Sequence, residues 1–559
     1  MRRTGRSRFG TSALLLLVFT FSGASGLVYE VLWTRRLTHV FGSTTLAVST
    51  VLAAFMFGLA AGSVLLGGWA DRHRERALRA YGLLELAIGA YGFGVPLFLR
   101  AVEGVYVRLA PVLETSPMLF FLAQFLLAGT VLVVPCALMG GTLPLLARWL
   151  VGREDEIGGR VGALYAANTL GACLGTGAAT YWLLPLLGVR SSEFVAIGLN
   201  AVAGLTALAL AEGTRSAAVH EDEGEAAVLP AAAAPPRPRL LLAAIALSGF
   251  AAMVDEVAWS RLVGLLFGSS VYAFGLMLLL FLFGIALGSA LFTRWRAADP
   301  SRVLGWALVA NAFVALAGIA LVPRLPFAYM RGYPAVQGAF FWEQVLQVLA
   351  SAPLIVPLAI SFGVAFPAAV AATAELRATG RGVGRVTAWN TAGTVAGAFL
   401  GGFVLVPGLG LRASLTLAAA AAAVGGVLAL GRPREERSRR WALSAAGLAL
   451  LAALLVPAWP RGLLAQGAGY YASLYGSSEG LRAAQKNSEL LFYKDGIATT
   501  LSVDRQGPYR FYRSNGKTDA STEPGDMTNQ LLLGHLPMLL HPAPFDVFVL
   551  GLGTGVSAA

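Results

Sequence analysis

A chain of 559 residues with 57% hydrophobic and 13% charged side chains and a mean hydropathy of +0.68 lies outside the composition of soluble domains, so lipid is its expected solvent. The formal charge of +12 does not point to nucleic acid, because the basic residues stand in short clusters between apolar runs, where they orient helices. Cys136 and Cys173 lie in apolar segments without CxxC spacing and the five histidines are scattered, so neither a disulfide framework nor a metal site is indicated.

A spanning helix needs about 20 mostly apolar residues, since the hydrocarbon layer is about 30 Å thick and each residue rises about 1.5 Å. The N-terminus, Met1–Arg8 with its four arginines followed by an apolar run from Thr11, has the outline of a signal peptide. It reads instead as an uncleaved first helix, because the run continues into Glu30 and Trp33, which recur further on. Candidate spans fall near 12–33, 44–68, 78–99, 118–147, 160–184 and 191–211, and again near 240–264, 270–293, 303–323, 343–371, 384–406 and 411–430.

The second set repeats the first. Ser22-Gly23, Glu30-Val31, Trp33, Arg35 and Phe41-Gly42-Ser43 meet Ser248-Gly249, Glu256-Val257, Trp259, Arg261 and Phe267-Gly268-Ser269 without a gap. Later, Asn168-Thr169, Gly171, Gly175, Pro185, Gly188, Arg190 and Ser192 match Asn390-Thr391, Gly393, Gly397, Pro407, Gly410, Arg412 and Ser414. The expected fold is therefore an all-α polytopic membrane bundle of two parallel six-helix repeats, 1–211 and 240–431, joined by a flexible loop at 212–239. Residues 432–460 form a basic linker and a candidate thirteenth helix, and a partial α/β segment occupies 461–559. Arginine-rich loops alternate with poorer ones and place the N-terminus in the cytoplasm, the signature of a multi-pass inner-membrane protein whose first partner is the lipid bilayer.

The loop Gly67-Gly68-Trp69-Ala70-Asp71-Arg72-His73-Arg74-Glu75-Arg76 and the two-times-six plan resemble the major facilitator superfamily. The match is partial: Arg74 stands where that family's pattern has glycine, and the second half offers only Thr293-Arg294-Trp295-Arg296.

Ionisable groups in hydrocarbon cost at least about 2.5 kcal/mol each and need partners or a wet cavity. Glu30 with Arg35, and Glu256 with Arg261, form either interfacial pairs or part of a substrate or proton pathway. Glu85 in the third span meets Asn311 in the repeat, an asymmetry of the kind function introduces. Asn168 and Asn390, each followed by small-residue spacing, serve helix packing or a polar path. Pro135, Pro144, Pro357 and Pro367 are expected to kink the fourth spans and free carbonyls toward a cavity.

Beyond Trp441–Trp459, about the minimum length to span, the pattern becomes that of a soluble domain. If that stretch crosses the bilayer, the segment after it lies outside the cytoplasm; if it lies along the surface, the segment stays inside. Phe492–Val503 reads as a turn and strand, Tyr509–Ser514 as a second strand before Asn515-Gly516, Met527–Leu540 as a helix, and Phe545–Leu550 as a buried strand entering Gly551-Leu552-Gly553-Thr554-Gly555.

In that order these features resemble the spermidine synthase (polyamine aminopropyltransferase) family over Ser488–Ala559, and the whole chain resembles membrane-bound members in which this domain follows a facilitator-like region. The resemblance implies that Gly551, Gly553 and Gly555 bind decarboxylated S-adenosylmethionine or S-adenosylmethionine, with an amine as the small-molecule substrate. Asp519 and Asp526 are then the acids available to a cationic substrate. Asn529-Gln530 replace the family's Tyr-His, so its acceptor contacts do not carry over. The family's catalytic aspartate lies past Ala559, so no catalytic residue is assigned and the chain alone is expected to be inactive as a transferase. The competing reading is a secondary transporter with a regulatory or vestigial C-terminal segment.

Overall fold

A computed structural model describes residues 2–41, 45–113, 117–218, 238–294, 299–430, 436–550 and 553–558. Most of the central loop and Gly551 lie outside the described residues. The chain divides into two compact units: Met1–Trp259 with Gly275–Ala320 and Ala352–Val456, and Ser260–Phe274 with Leu321–Ser351 and Pro457–Ala559.

The apolar runs form α1 (Arg2–Phe41), α2 (Thr45–Arg72), α3 (Ala77–Leu113), α4 (Pro117–Leu150), α5 (Ile157–Ala178) and α6 (Leu184–Ala218) in the first half. The second half holds α7 (Pro238–Phe267), α8 (Val271–Arg294), α9 (Pro300–Leu321), α10 (Phe340–Thr373), α11 (Thr379–Leu400) and α12 (Leu411–Leu430). Among the described residues, 11 stretches are long and apolar enough to cross a bilayer, and one of them, Glu154–Gly213, has 60 residues. That stretch contains two spans, because a π turn at Ala179–Leu183 and Gly188, at φ 72° and ψ 179°, break it.

The second half repeats both irregularities at one constant offset, with a π turn at Gly401–Leu405 and Gly410 at φ 84° and ψ 167°. The hydroxyls of Ser192 and Ser414 donate to the Gly188 and Gly410 carbonyls at 2.6 and 2.8 Å. Only glycine adopts such a conformation without strain. Gly188→Ala and Gly410→Ala are each expected to lower stability by about 1–3 kcal/mol. Thermal unfolding in detergent checks this, and an unchanged melting temperature would show that the turn relaxes.

Close backbone contact joins the first and fifth helix of each half. A Cβ at Gly23 would meet the backbone of Asn168, and one at Gly249 the backbone of Asn390. Without a hydrophobic force between helices in lipid, such small-residue contact and van der Waals packing hold the bundle together.

The helices that carry the four prolines run continuously as α4 and α10. Two of the carbonyls that proline leaves without an N–H partner one turn back are answered by neighbours instead of lining a cavity. The Tyr91 hydroxyl donates to the Val131 carbonyl at 2.9 Å, serving Pro135, and the Ser289 hydroxyl donates to the Gly363 carbonyl at 2.7 Å, serving Pro367.

After α12, α13 (Glu436–Leu455) replaces the helix expected at Trp441–Trp459. Its 20 residues give it a length of about 30 Å. It packs along α12, and Arg412 Nη1 donates to the Val456 carbonyl at 2.6 Å.

The second unit is built on a four-stranded antiparallel meander: β1 (Ser488–Asp495), β2 (Thr500–Gln506), β3 (Tyr509–Ser514) and β4 (Lys517–Ser521), in that order. Asn515 at φ 48° and Gly516 at φ 78° make the tight turn that the Asn-Gly pair predicts. β4, Lys517-Thr518-Asp519-Ala520-Ser521, has one β-branched residue and no aromatic one, so sequence pattern alone passed over it. Asp504 and Arg513 pair at 2.8 Å, each side chain 6% exposed, and Ser488 Oγ and Gln506 Nε2 also donate to Asp504. Removing one member leaves the other charge buried, so Asp504→Asn is expected to destabilise the sheet by about 3–5 kcal/mol. Hydrogen exchange of the β2 and β3 amides measures it, and unchanged protection would contradict it.

Phe545–Leu550 does not form the expected strand. It pairs with no ladder, and Phe545 and Phe548 are 90% and 87% exposed. A buried strand needs hydrogen-bonding neighbours, and the described strands already pair among themselves.

Candidate functional site

In the first unit a cavity of about 330 Å³ lies between the two repeats. Glu30 on α1 and Glu256 on α7 line it from equivalent positions, and Asn168 on α5 and Asn390 on α11 do the same. Among the described residues no cation of the protein pairs with either carboxylate. Asn168 Nδ2 also donates across to the Phe19 carbonyl of α1 at 3.4 Å, whereas the backbone carbonyl of Asn390 accepts from Thr394 Oγ1 within α11 at 3.0 Å. Rings complete the wall, with Tyr165 stacked on Phe366 at 4.4 Å and Phe281 6.0 Å from Phe362. Two unpaired acids and several aromatic faces in a low-dielectric space favour an organic cation and disfavour an anion.

Contacts between the repeats lie on both sides of this cavity along the helix axes. Toward the basic loops, the Asp71 carboxylate accepts the Gly380 and Arg381 backbone N–H groups, each at 2.8 Å, and lies 3.3 Å from Arg148 Nε. The orphan donors and positive end of the α11 dipole make that N-terminus a natural seat for a carboxylate. Gly67 and Gly380 lie back to back there, with no room for a Cβ on either. Toward the other end, Thr180 packs on Gly275, and Cys173 Sγ is 3.5 Å from the Leu279 carbonyl.

Other expected site residues fall elsewhere. Glu85 is buried behind the cavity wall, bonded to Ser22 of that wall and accepting from Asn200 Nδ2 at 2.7 Å between α3 and α6, while Asn311 donates to the Leu358 carbonyl at 3.1 Å. Arg35 is exposed; its neighbour Arg36 makes the ion pair, with Glu193 at 2.9 Å, and Trp33 Nε1 donates to the same carboxylate. Arg261 does not act as an interfacial partner for Glu256. Its guanidinium donates to the carbonyls of Gly496 and Ile497 in the β1–β2 turn, where a long stem and a planar fork of donors suit two adjacent carbonyls. Alignment offered no signal for Arg36 and Glu193, because Leu262 and Leu415 occupy the equivalent places in the repeat.

In the C-terminal segment, Asp526 accepts from Ser521 Oγ at 2.6 Å in the first turn of α14 (Pro524–Leu540), and Asp519 lies 3.5 Å from Lys517 Nζ at the surface. Asp495 is buried under Thr500 Oγ1 at 2.8 Å and Tyr493 OH at 3.0 Å; burial, then that carboxylate, pushes the Tyr493 phenol up. Gly553 and Gly555 have φ of 56° and 80°, with open space where a Cβ would stand, and Thr554 Oγ1 donates to Gln530 Oε1 at 2.7 Å. A nucleotide loop works from the end of a buried strand. With Phe545–Leu550 exposed and unpaired, the described residues do not enclose an adenosyl cofactor, and no chemical step is routed through one.

No protein-family profile matches the chain. It is 30% identical over 201 residues to polyamine aminopropyltransferase 2 of Streptomyces coelicolor, covering 36% of this chain and 34% of that protein. It is 27% identical over 197 residues to polyamine aminopropyltransferase 1 of the same organism, covering 35% and 34%. With polyamine aminopropyltransferase 2 of Ralstonia nicotianae it shares 28% identity over 188 residues, 33% of each chain. The chain thus spans about a third of the length of the curated relatives it matches. A match of 201 residues is longer than the stretch from Pro457 to Ala559, so it includes membrane helices. Among solved structures, a bacterial homologue of the iron transporter ferroportin aligns with 75% of this chain and 98% of its own at 15% identity and a TM-score of 0.46. The Escherichia coli fucose:proton symporter aligns with 77% and 100% at 14% identity and a TM-score of 0.44.

Proposed function

We propose that this membrane bundle, similar over part of its length to polyamine aminopropyltransferases, binds a small amine as its cation in the cavity between the repeats. The observation that carries the reading is the pair Glu30 and Glu256, two carboxylates at equivalent positions in one cavity without a protein cation. The relatives' printed name supplies the amine class; the rings and the absence of basic lining residues agree with it. On this reading the repeats rock about the site, and the Asp71 contact with α11 closes the end nearer the basic loops.

The role of the C-terminal segment, with Asp519 and Asp526 as acids for a cationic substrate and Gly551, Gly553 and Gly555 as an adenosyl-cofactor loop, rests on the family resemblance. So does the combined reading of bundle plus aminopropyltransferase-like segment. The arginine sorting of the loops supports a cytoplasmic N-terminus in an inner membrane. Contacts between the repeats on both sides of the cavity favour the alternative of a secondary transporter whose C-terminal segment is regulatory or vestigial.

Scintillation proximity with tritiated spermidine tests the central reading on the full chain in lipid nanodiscs. Saturable binding, displaced by putrescine and not by an uncharged analogue of equal length, is expected. Absence of saturable binding would overturn it.

A further inference from the structure

We propose that a second groove, between α2 and the start of α11, holds the phosphate headgroup of an anionic lipid. It has a volume of about 560 Å³ and lies in the first unit, separate from the amine cavity. Arg381, Arg385 and Trp389 line it from one face of α11, four residues apart and all exposed. The Arg381 guanidinium crosses α2 where Gly68 offers no side chain, its Nε 3.9 Å from where a Cβ would stand. Arg385 Nη2 donates to the Thr373 carbonyl at 3.4 Å, which holds the second guanidinium at the groove's edge.

Neither guanidinium makes an ion pair among the described residues, although Glu375 also lines the groove. In the first repeat, by contrast, the basic residues at the corresponding turn are matched locally, Arg153 with Asp155 at 3.1 Å and Arg160 with Glu156 at 3.7 Å. The positions equivalent to Arg381, Arg385 and Trp389 there are Gly159, Ala163 and Ala167, so the shared packing does not call for this stripe. Orienting a helix needs only positive charge in the loop, not a groove with charge on its wall.

The depth of the stripe selects a lipid over a free anion. Arg381 is two residues into α11, at headgroup level, while Trp389 lies two turns deeper on a surface that also exposes Val64 and Leu65. Basic residues near the headgroups with an indole below them match a phospholipid's phosphate and glycerol region, whereas inorganic phosphate would use the arginines alone. An occupied groove would brace the α11 N-terminus beside Gly380 and Arg381, whose N–H groups Asp71 already holds.

Headgroup-photoactivatable phosphatidylglycerol in phosphatidylcholine nanodiscs tests this on the full chain, with adducts mapped by mass spectrometry. Adducts between Glu375 and Trp389 are expected. They should fall about tenfold in Arg381→Gln/Arg385→Gln, persist in Arg381→Lys/Arg385→Lys, and survive excess inorganic phosphate, since each basic residue adds to lipid attraction. Equal labelling by the matching phosphatidylcholine probe, undiminished labelling in the glutamine variant, or displacement by phosphate would each overturn the proposal. The probe comparison uses the unmutated chain, so a misfolded variant leaves the proposal testable.

Discussion

Spermidine affinity is expected to fall about 10- to 100-fold in Glu30→Gln and again in Glu256→Gln, with a larger loss in the double variant. A hydrogen bond to a charged group contributes about 1.5–3 kcal/mol, and about 1.4 kcal/mol is a factor of ten. Glutamine keeps the size and one acceptor of glutamate but removes the charge, so the loss reads electrostatic recognition rather than packing. The two substitutions share one cavity and one ligand, so their effects are not expected to add. Glu85→Gln is the internal control. Its carboxylate accepts from Asn200 and does not itself line the cavity, although its partner Ser22 does, so a smaller loss of affinity than in Glu30→Gln is expected beside a change in stability. A loss of affinity in Glu85→Gln with none in Glu30→Gln would reverse the assignment.

Asp71→Ala is expected to open the bundle at its basic-loop end. The carboxylate, 6% exposed, accepts two backbone N–H bonds from α11 and faces Arg148. Losing two charge-assisted bonds at a helix N-terminus removes about 3–5 kcal/mol from the closed arrangement. Moving a two-state equilibrium from 99:1 to 1:99 takes about 5.5 kcal/mol, so from a 99:1 start the open population should come to exceed the closed one. Spin labels at the exposed positions Arg76 and Arg377, with Cys136 and Cys173 replaced by alanine, give the distance distribution. A second, longer distance should appear in Asp71→Ala. An unchanged distribution would show that Gly67 and Gly380 hold that end without the carboxylate.

Duplication made the bundle and half of its site legible. A residue kept at one offset in two apolar helices, as Glu30 and Glu256 are, must satisfy the same environment twice, and the structure brings both to one cavity. The same holds for Asn168 with Asn390 and for the Gly188 and Gly410 breaks. Features present once were illegible. Asp71 meets Gly380 and Arg381 across more than three hundred residues of chain, and Arg36 meets Glu193 across 157. Nothing in local periodicity records such a contact.

The carbonyls that the prolines were expected to free find partners that local pattern does not show: Tyr91 and Ser289 satisfy two of them while the helices continue. Phe545–Leu550 has the apolar run of a core strand, but composition alone does not supply the neighbours a strand requires.

Protection of a single cysteine tests most directly whether an amine sits between the repeats. Ala252 lines the cavity, and Cys136 and Cys173 are buried, so Ala252→Cys in a background with both replaced by alanine reports on that space. Spermidine is predicted to slow the reaction of this cysteine with a cationic methanethiosulfonate by about tenfold or more, a protection lost when Glu30 and Glu256 are both changed to Gln. An identical reaction rate with and without spermidine would contradict the account.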